Sequence, residues 1–191
     1  PVAAGQVGII GFSRYGKQAI YAAAFDQRIT AVVAHSSGTP TAAAYRFAGR
    51  QTFSESLADF PDQWARPELR AFHGREHMLP IEGHGLFALI APRHCLLHTA
   101  YNDDGDPTFA VERTYLAARE VYRFLGKPEN LRLVYRKGEH QSGPAPDYIT
   151  AEHRKCHFAW FDFAFGRGTV RAEDFPEILL HQFDWEAWKR A

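Results

Sequence analysis

The sequence predicts an α/β fold, a three-layer sandwich on a mostly parallel sheet. Two observations predict it: short apolar, partly β-branched runs recur along the 191 residues, and segments of helical character alternate with them. Val7-Gly8-Ile9-Ile10 reads as a buried strand that ends at Gly11. Lys17 to Phe25 is rich in Ala, lacks Gly and Pro, and reads as a helix. Further strands are expected at Ile29 to Ala34, built around Val32 and Val33, at Cys95 to Thr99, announced by Ala91-Pro92-Arg93, and at Leu131 to Tyr135. Between the last two, Tyr115, Ala118, Tyr122 and Leu125 recur at three- and four-residue spacing, forming an apolar stripe ended by Gly126 and Pro128. A final helix is expected from about Tyr148 to Phe165, with Ile149, Cys156, Trp160 and Phe163 on one side and Gly166 as its stop. Strands alternating with helices imply a parallel sheet covered on both faces.

The stretch from about 38 to 89 breaks this alternation. It holds Phe47, Phe53, Phe60, Trp64, Phe72 and Phe87, with several Pro and His. One reading is an excursion packed onto the sheet through its aromatics. The other is a lid or substrate wall, and the two are compatible. Neither internal repeats nor low-complexity tracts interrupt the chain, which is read as one domain over 1–191.

Composition excludes several classes of function. Lys plus Arg equals Asp plus Glu at 22 each, so the chain lacks the basic surface that neutralises phosphates, and no nucleic-acid partner is expected. Its apolar runs all fall short of the roughly 20 residues that span a bilayer, so no membrane role is expected. Cys95 and Cys156 are the two cysteines; they can pair, but they form no disulfide framework. The compartment stays open, secretion and the periplasm included.

Gly11-Phe12-Ser13-Arg14-Tyr15-Gly16 joins the first strand to the first helix. It approximates the G-x-S-x-G elbow, in which a tight turn lifts a serine hydroxyl above the sheet of an α/β-hydrolase. The second Gly falls at 16, where the five-residue pattern would place it at 15. The elbow makes Ser13 a candidate nucleophile. The amide after it, at a helix N-terminus, would face the oxygen that becomes negative in a tetrahedral intermediate, and Arg14 offers a charged donor to the same oxygen.

In this fold the acid and then the histidine follow the serine along the chain. Tyr101-Asn102-Asp103-Asp104-Gly105-Asp106-Pro107 leaves the third strand. Three aspartates compete for the acid role: counting from the strand end favours Asp103, with Asp104 and then Asp106 as alternatives, although Asp106-Pro107 reads better as a turn or as the opening of the next helix. Gly138-Glu139-His140 leaves the fourth strand, where a general base belongs. His73 with His77, and His153 with His157, have the i,i+4 spacing of helical metal ligands. No third ligand of fitting spacing stands out, so neither a metal nor any other cofactor is expected and these histidines read as structural or surface residues.

Gly-Phe-Ser-Arg-Tyr-Gly-Lys at 11–17 resembles the Gly-Cys-Ser-Arg-x-Gly-Lys signature of the glucuronoyl esterases, carbohydrate esterases of the α/β-hydrolase superfamily with acetyl-xylan-esterase-like relatives. The likeness continues through Ala24 to Ile29, Phe60-Pro61-Asp62-Gln63-Trp64, Leu89 to Arg93, Thr99 to Asp103 and Val121 to Gly126. It implies Ser13 as nucleophile, His140 as base, Arg14 as an oxyanion contact, and Lys17 and Trp64 as contacts to a small-molecule or polysaccharide ester. Two departures stand out. Phe12 replaces the signature cysteine and Gln141 stands where some fungal members carry its disulfide partner, so that bridge is absent. His35-Ser36-Ser37-Gly38 occupies the place where many members carry a catalytic Glu, which shifts the acid role to Asp103.

The expectation is therefore a serine esterase acting on a glucuronoyl or acetyl ester through an acyl-enzyme. The alternatives are a non-catalytic carbohydrate-binding or interaction module on a hydrolase scaffold, or a hydrolase of non-carbohydrate esters. The fold normally has strands upstream of the elbow, one of which leads into the loop supplying a second oxyanion amide. The chain is accordingly expected to be the C-terminal catalytic part of its domain, completed by an N-terminal part of the same protein or by a partner chain.

Overall fold

The computed structural model describes residues 3, 5–47, 55–57, 66–141, 149–182 and 184. Within them β1 (Gly8–Phe12), β2 (Ala31–His35), β3 (His94–Ala100) and β4 (Leu131–Arg136) form one all-parallel sheet in the order β1-β2-β3-β4. Helices α1 (Arg14–Phe25), α2 (Gly83–Ile90) and α3 (Thr108–Phe124) connect successive strands, and α4 (Ala151–Ala164) follows β4.

The strands alternate their side chains between two apolar layers. Val32, Ala34, Cys95, Leu97, Leu131 and Leu133 point to one face. There they pack with Ile20 and Ala23 of α1, Phe87 and Ile90 of α2, and Val111, Tyr115 and Tyr122 of α3. Val33 and Leu96 point to the other face, against Trp160 of α4 and Phe175. Covering both faces explains why Ala31–His35 is buried at every position and reads as a continuous run instead of an alternation. Burying each large apolar side chain in these layers contributes about 1.5–3 kcal/mol.

Arg93 ties the opposite end of the sheet together. Its guanidinium donates to the carbonyls of Asp26, Ile29, Leu89 and Ile90, and its own carbonyl accepts from Tyr122 Oη at 2.9 Å.

The strands fall where the sequence puts them, to within a residue or two, but β1, expected to be buried, is exposed at Gly8 and Ile10 and half-buried at Ile9 and Phe12. β1, however, runs on to Phe12, so the chain passes from strand through Ser13 directly into α1, which begins three residues before the expected helix. α3 likewise starts earlier, at Thr108. The sequence reading missed α2. Two glycines in two turns lower its helix propensity and leave no readable periodicity, yet Gly83 is required: a Cβ there would lie 1.9 Å from the Thr41 carbonyl oxygen. α2 is thus the crossover helix between β2 and β3, and it closes the stretch that broke the alternation.

The described remainder of that stretch makes short 3-10 turns around a small cluster of Tyr45, Leu57 and Leu79. Glu82 secures it by accepting from the amides of Tyr45 and Arg46. Phe53, Phe60 and Trp64 lie outside the described residues. The two cysteines are free thiols in layers on opposite faces of the sheet, so the sheet itself separates them. No described helix is long and apolar enough to cross a membrane.

Gly11 is the tightest point of the elbow. A Cβ there would lie 2.0 Å from the Tyr15 carbonyl oxygen, a backbone atom that cannot swing away. Gly11→Ala is expected to destabilise the fold by more than the roughly 1–3 kcal/mol usual for overpacking. A fall in Tm on thermal unfolding checks this.

Candidate active site

Ser13 sits between β1 and α1 with φ at +56° and ψ at −126°. Non-glycine residues rarely adopt a positive φ, and such strain persists only where the surroundings enforce it. Here the Ser13 amide donates to the His35 carbonyl at 2.9 Å, and the Ser13 carbonyl accepts from the Lys17 amide at 3.1 Å. Gly11 lets the turn close. Gly16 lets α1 meet the end of β2, because a Cβ at 16 would lie 2.9 Å from Ser37 Cβ. Tyr15 points into solvent. The second small residue is therefore needed at 16, which is why the spacing departs from the five-residue elbow.

His140 follows β4, and its Nε2 lies 3.0 Å from Ser13 Oγ. Its Nδ1 lies 2.9 Å from Asp103 Oδ1. That oxygen also accepts from the amides of Gly105 at 2.9 Å and Asp106 at 3.2 Å, so the loop leaving β3 fixes the carboxylate. Of the three competing aspartates, Asp103 alone is brought to the histidine. Asp104 is exposed. Asp106 is buried, and its Oδ1 accepts from the Gly38 amide at 2.6 Å. Asp106-Pro107 does lead into α3, with Pro107 at the N-cap position, but the Asp106 side chain caps nothing there. It braces the segment after β2 against the loop after β3.

Burial presses the His140 imidazole toward neutrality, but the hydrogen bond and charge of Asp103, with the charges of Asp106 and Glu55, raise its pKa above the ordinary value. Burial likewise pushes the Asp103 carboxyl up, and its contact with His140 outweighs this to hold it below the ordinary value. Asp106 is pushed up to about 7 by burial and by the charge of Asp103.

Arg136, the last residue of β4, holds the histidine loop. Its guanidinium donates to the carbonyls of Glu139 at 2.7 Å and His140 at 2.8 Å, and to Ser36 Oγ at 2.8 Å. It also stands 3.9 Å from Asp103 Oδ2. Misplacing a reacting group by about 1 Å can cost 10²-fold in rate, so Arg136→Met is expected to lower kcat about 10²-fold with a smaller change in KM. Steady-state kinetics of the variant check this.

Arg14 opens α1 and is exposed beside the elbow. Lys17, one turn further on, is buried. Its ammonium donates to the Ser37 carbonyl at 2.6 Å and pairs with Glu55 at 2.8 Å. Phe12, in place of the signature cysteine, lays its ring 5.0 Å from His140 and 5.2 Å from His35, so aromatic packing supports the His140 loop where a disulfide is absent.

Sequence reasoning missed three groups here. Glu55 lies in a segment without readable pattern and meets Lys17 only through the fold. Arg136 had only a weak signal, a charged residue closing a strand that is buried at Leu131 and Leu133 and half-buried at Arg132, Val134 and Tyr135. The third group is a set of imidazoles: His35 on β2 and His98 on β3 are register partners that face His153 and His157 of α4. The extra imidazoles missing from the helical pair's spacing come from two strands far away in sequence. Each follows an inward-facing apolar residue, Val33 or Leu96, at the two-residue strand period.

A strained serine after a parallel strand, with histidine and aspartate on loops leaving later strands of the same sheet, defines the class: the fold is that of an α/β-hydrolase. The family model described as "Glucuronyl esterase, fungi" matches residues 1–126, and the chain belongs to that family. It is 34% identical over 125 residues to carbohydrate esterase MZ0003 from an unknown prokaryotic organism, a match covering 63% of this chain and 28% of that protein. It is also 34% identical over 96 residues to the 4-O-methyl-glucuronoyl methylesterase of Hypocrea jecorina, covering 46% of this chain and 20% of that one. Among solved structures it resembles a carbohydrate esterase family 15 glucuronoyl esterase from Caldicellulosiruptor kristjansonii. That match has a TM-score of 0.74 and 30% identity, over 93% of this chain and 46% of the other. The chain thus spans about half of that solved relative, and its matched segments span 20% and 28% of the two curated ones.

Proposed function

We propose that the chain is the C-terminal catalytic part of an α/β-hydrolase domain that cleaves a carbohydrate-linked carboxylic ester, glucuronoyl or acetyl, through an acyl-enzyme. The observation that carries this reading is the continuous line Asp103–His140–Ser13, with hydrogen-bond contacts of 2.9 and 3.0 Å. Membership of the glucuronyl esterase family supports it.

In the proposed reaction His140 Nε2 takes the Ser13 proton as Oγ attacks the ester carbonyl. Asp103 holds Nδ1–H, fixes the tautomer and stabilises the imidazolium without itself taking the proton. The oxyanion is met at the N-terminus of α1, by the Arg14 amide and guanidinium; removing one such donor typically costs about 2.7–4 kcal/mol. His140 returns the proton to the departing alkoxide. Water, deprotonated by the same nitrogen, then releases the carboxylic acid and restores Ser13. Lys17, fixed by Glu55, is positioned one turn below the nucleophile to meet sugar hydroxyls.

The experiment is a comparison of substrates on the intact protein. Methyl esters of glucuronate, or acetylated xylan fragments, are expected to give a higher kcat/KM than aryl acetates. Turnover of aryl acetates alone would replace the carbohydrate reading with a general esterase. Sugar binding without turnover of any ester would replace it with a binding module.

A further inference from the structure

Between the sheet and α4, Val33, Leu96 and Trp160 form an apolar layer, against which His94 also packs, and at one end of it the layer turns polar. There the C-terminal ends of β2 and β3 and the N-terminal half of α4 converge on four imidazoles. His35 and His98 stand side by side on neighbouring strands, and α4 sets His153 and His157 over them. All four are buried, His35 completely. His35 ring centroids lie 4.9 Å from His98, 5.0 Å from His157 and 5.3 Å from His153.

Hydrogen bonding does not account for this grouping. His98 Nδ1 and His157 Nε2 approach to 2.8 Å, which satisfies one nitrogen of each. Both nitrogens of His35, and Nδ1 of His157, are buried and have no hydrogen-bond partner among the described residues. Buried polar atoms are nearly always paired, and an orphan in a native structure calls for a specific explanation, an unseen ion included.

The geometry points to a binding site for a divalent transition-metal cation, zinc above all, held by His35, His98 and His157. One nitrogen from each of the three lies within 4.8 Å of the others, and small ring rotations bring such a set around one ion at the roughly 2.0–2.1 Å of a zinc–nitrogen bond. An all-imidazole set suits zinc, copper or nickel and offers nothing to calcium or magnesium, which take oxygen ligands. His153 packs beside this set, its ring centroid 5.3 Å from His35 and 5.5 Å from His98. Its Nδ1 accepts from the Thr150 amide at 3.3 Å, so Nε2 is the atom it can offer.

Access comes from two surface recesses flanking the cluster. One, of about 550 Å³, is bordered by His98 and His153, and the other, of about 240 Å³, by His157. Arg136 is a cation whose charge reaches all four rings, Arg154 adds its charge at His153, and Asp103 stands 3.9 Å from Arg136. The ion would pin α4 to the sheet behind Phe12, whose ring touches both His35 and His140. Its role is therefore structural support of the elbow, separate from the ester chemistry and independent of it.

The test is metal binding by the intact protein after chelator stripping and dialysis. Titration with zinc sulfate is expected to give one equivalent per chain and a zinc-dependent rise in Tm, and cobalt(II) to give the visible d–d absorption of a nitrogen-ligated, four-coordinate ion. His157→Phe, which fills the space without a lone pair, is expected to weaken zinc by more than the roughly 10–100-fold that losing an outer-shell partner costs. His157→Cys, which restores a ligand, is expected to regain it and to add sulfur-to-cobalt charge transfer. A His73→Gln/His77→Gln variant, altered only at an exposed pair, is expected to bind like the wild type. A folded, stripped wild type that takes up no stoichiometric zinc overturns the proposal, as does unchanged zinc affinity in His157→Phe. If His157→Phe does not fold, the wild-type stoichiometry and cobalt spectrum decide.

Discussion

Ser13→Ala is expected to lower kcat for ester hydrolysis by about 10⁶-fold while leaving Tm near that of the wild type. The magnitude is that of removing the nucleophile from a comparable serine–histidine pair. The side chain lost is one hydroxyl, and its partner His140 stays held by Asp103 at 2.9 Å and by the Arg136 contact to its backbone. The residual rate should come from substrate binding and the oxyanion site at the start of α1. His140→Ala should cost about as much, and the double variant little more than either alone, because the two side chains act as a unit. Single-turnover kinetics on the three variants read this directly; additive losses would mean that the two groups do not share one step.

Asp103→Asn is expected to lower kcat by about 10⁴-fold, because an amide at this position favours the wrong tautomer of the histidine. The same substitution should move the pH profile. In the proposed reaction the neutral imidazole of His140 is the base, and Asp103, Asp106 and Glu55 hold its pKa above the ordinary 6.5. In the wild type, kcat/KM should therefore be full at alkaline pH and fall as pH drops through a value above 6.5. Asn removes a negative charge and an acceptor that both favour the imidazolium, so the acid limb should shift to lower pH. Profiles of kcat/KM against pH for the two proteins check both the direction and the loss.

The layers of the fold were legible because burial on both faces writes itself as apolar runs, and the elbow because strain and close packing demand glycine at 11 and 16. Asp103 and His140 were legible for a different reason: they are the first acid and the first histidine after strands whose ends the pattern locates. Side chains that act only through tertiary contact were not. Glu55 reaches Lys17 across 38 residues, and Arg136 reaches Ser36 across 100, with no periodic pattern to announce either. α2 was hidden by its two glycines, of which Gly83 is dictated by the Thr41 backbone against which it packs. His153 and His157 showed half of a cluster by their helical spacing. The other half required the register of β2 against β3.

Active-site labelling of the intact protein with a fluorophosphonate, followed by peptide mapping, shows whether Ser13 is the nucleophile. The account predicts one label per chain, on Ser13, formed faster above the His140 pKa than below it and abolished in His140→Ala. Label on any other residue, or a folded protein that takes none, would contradict it.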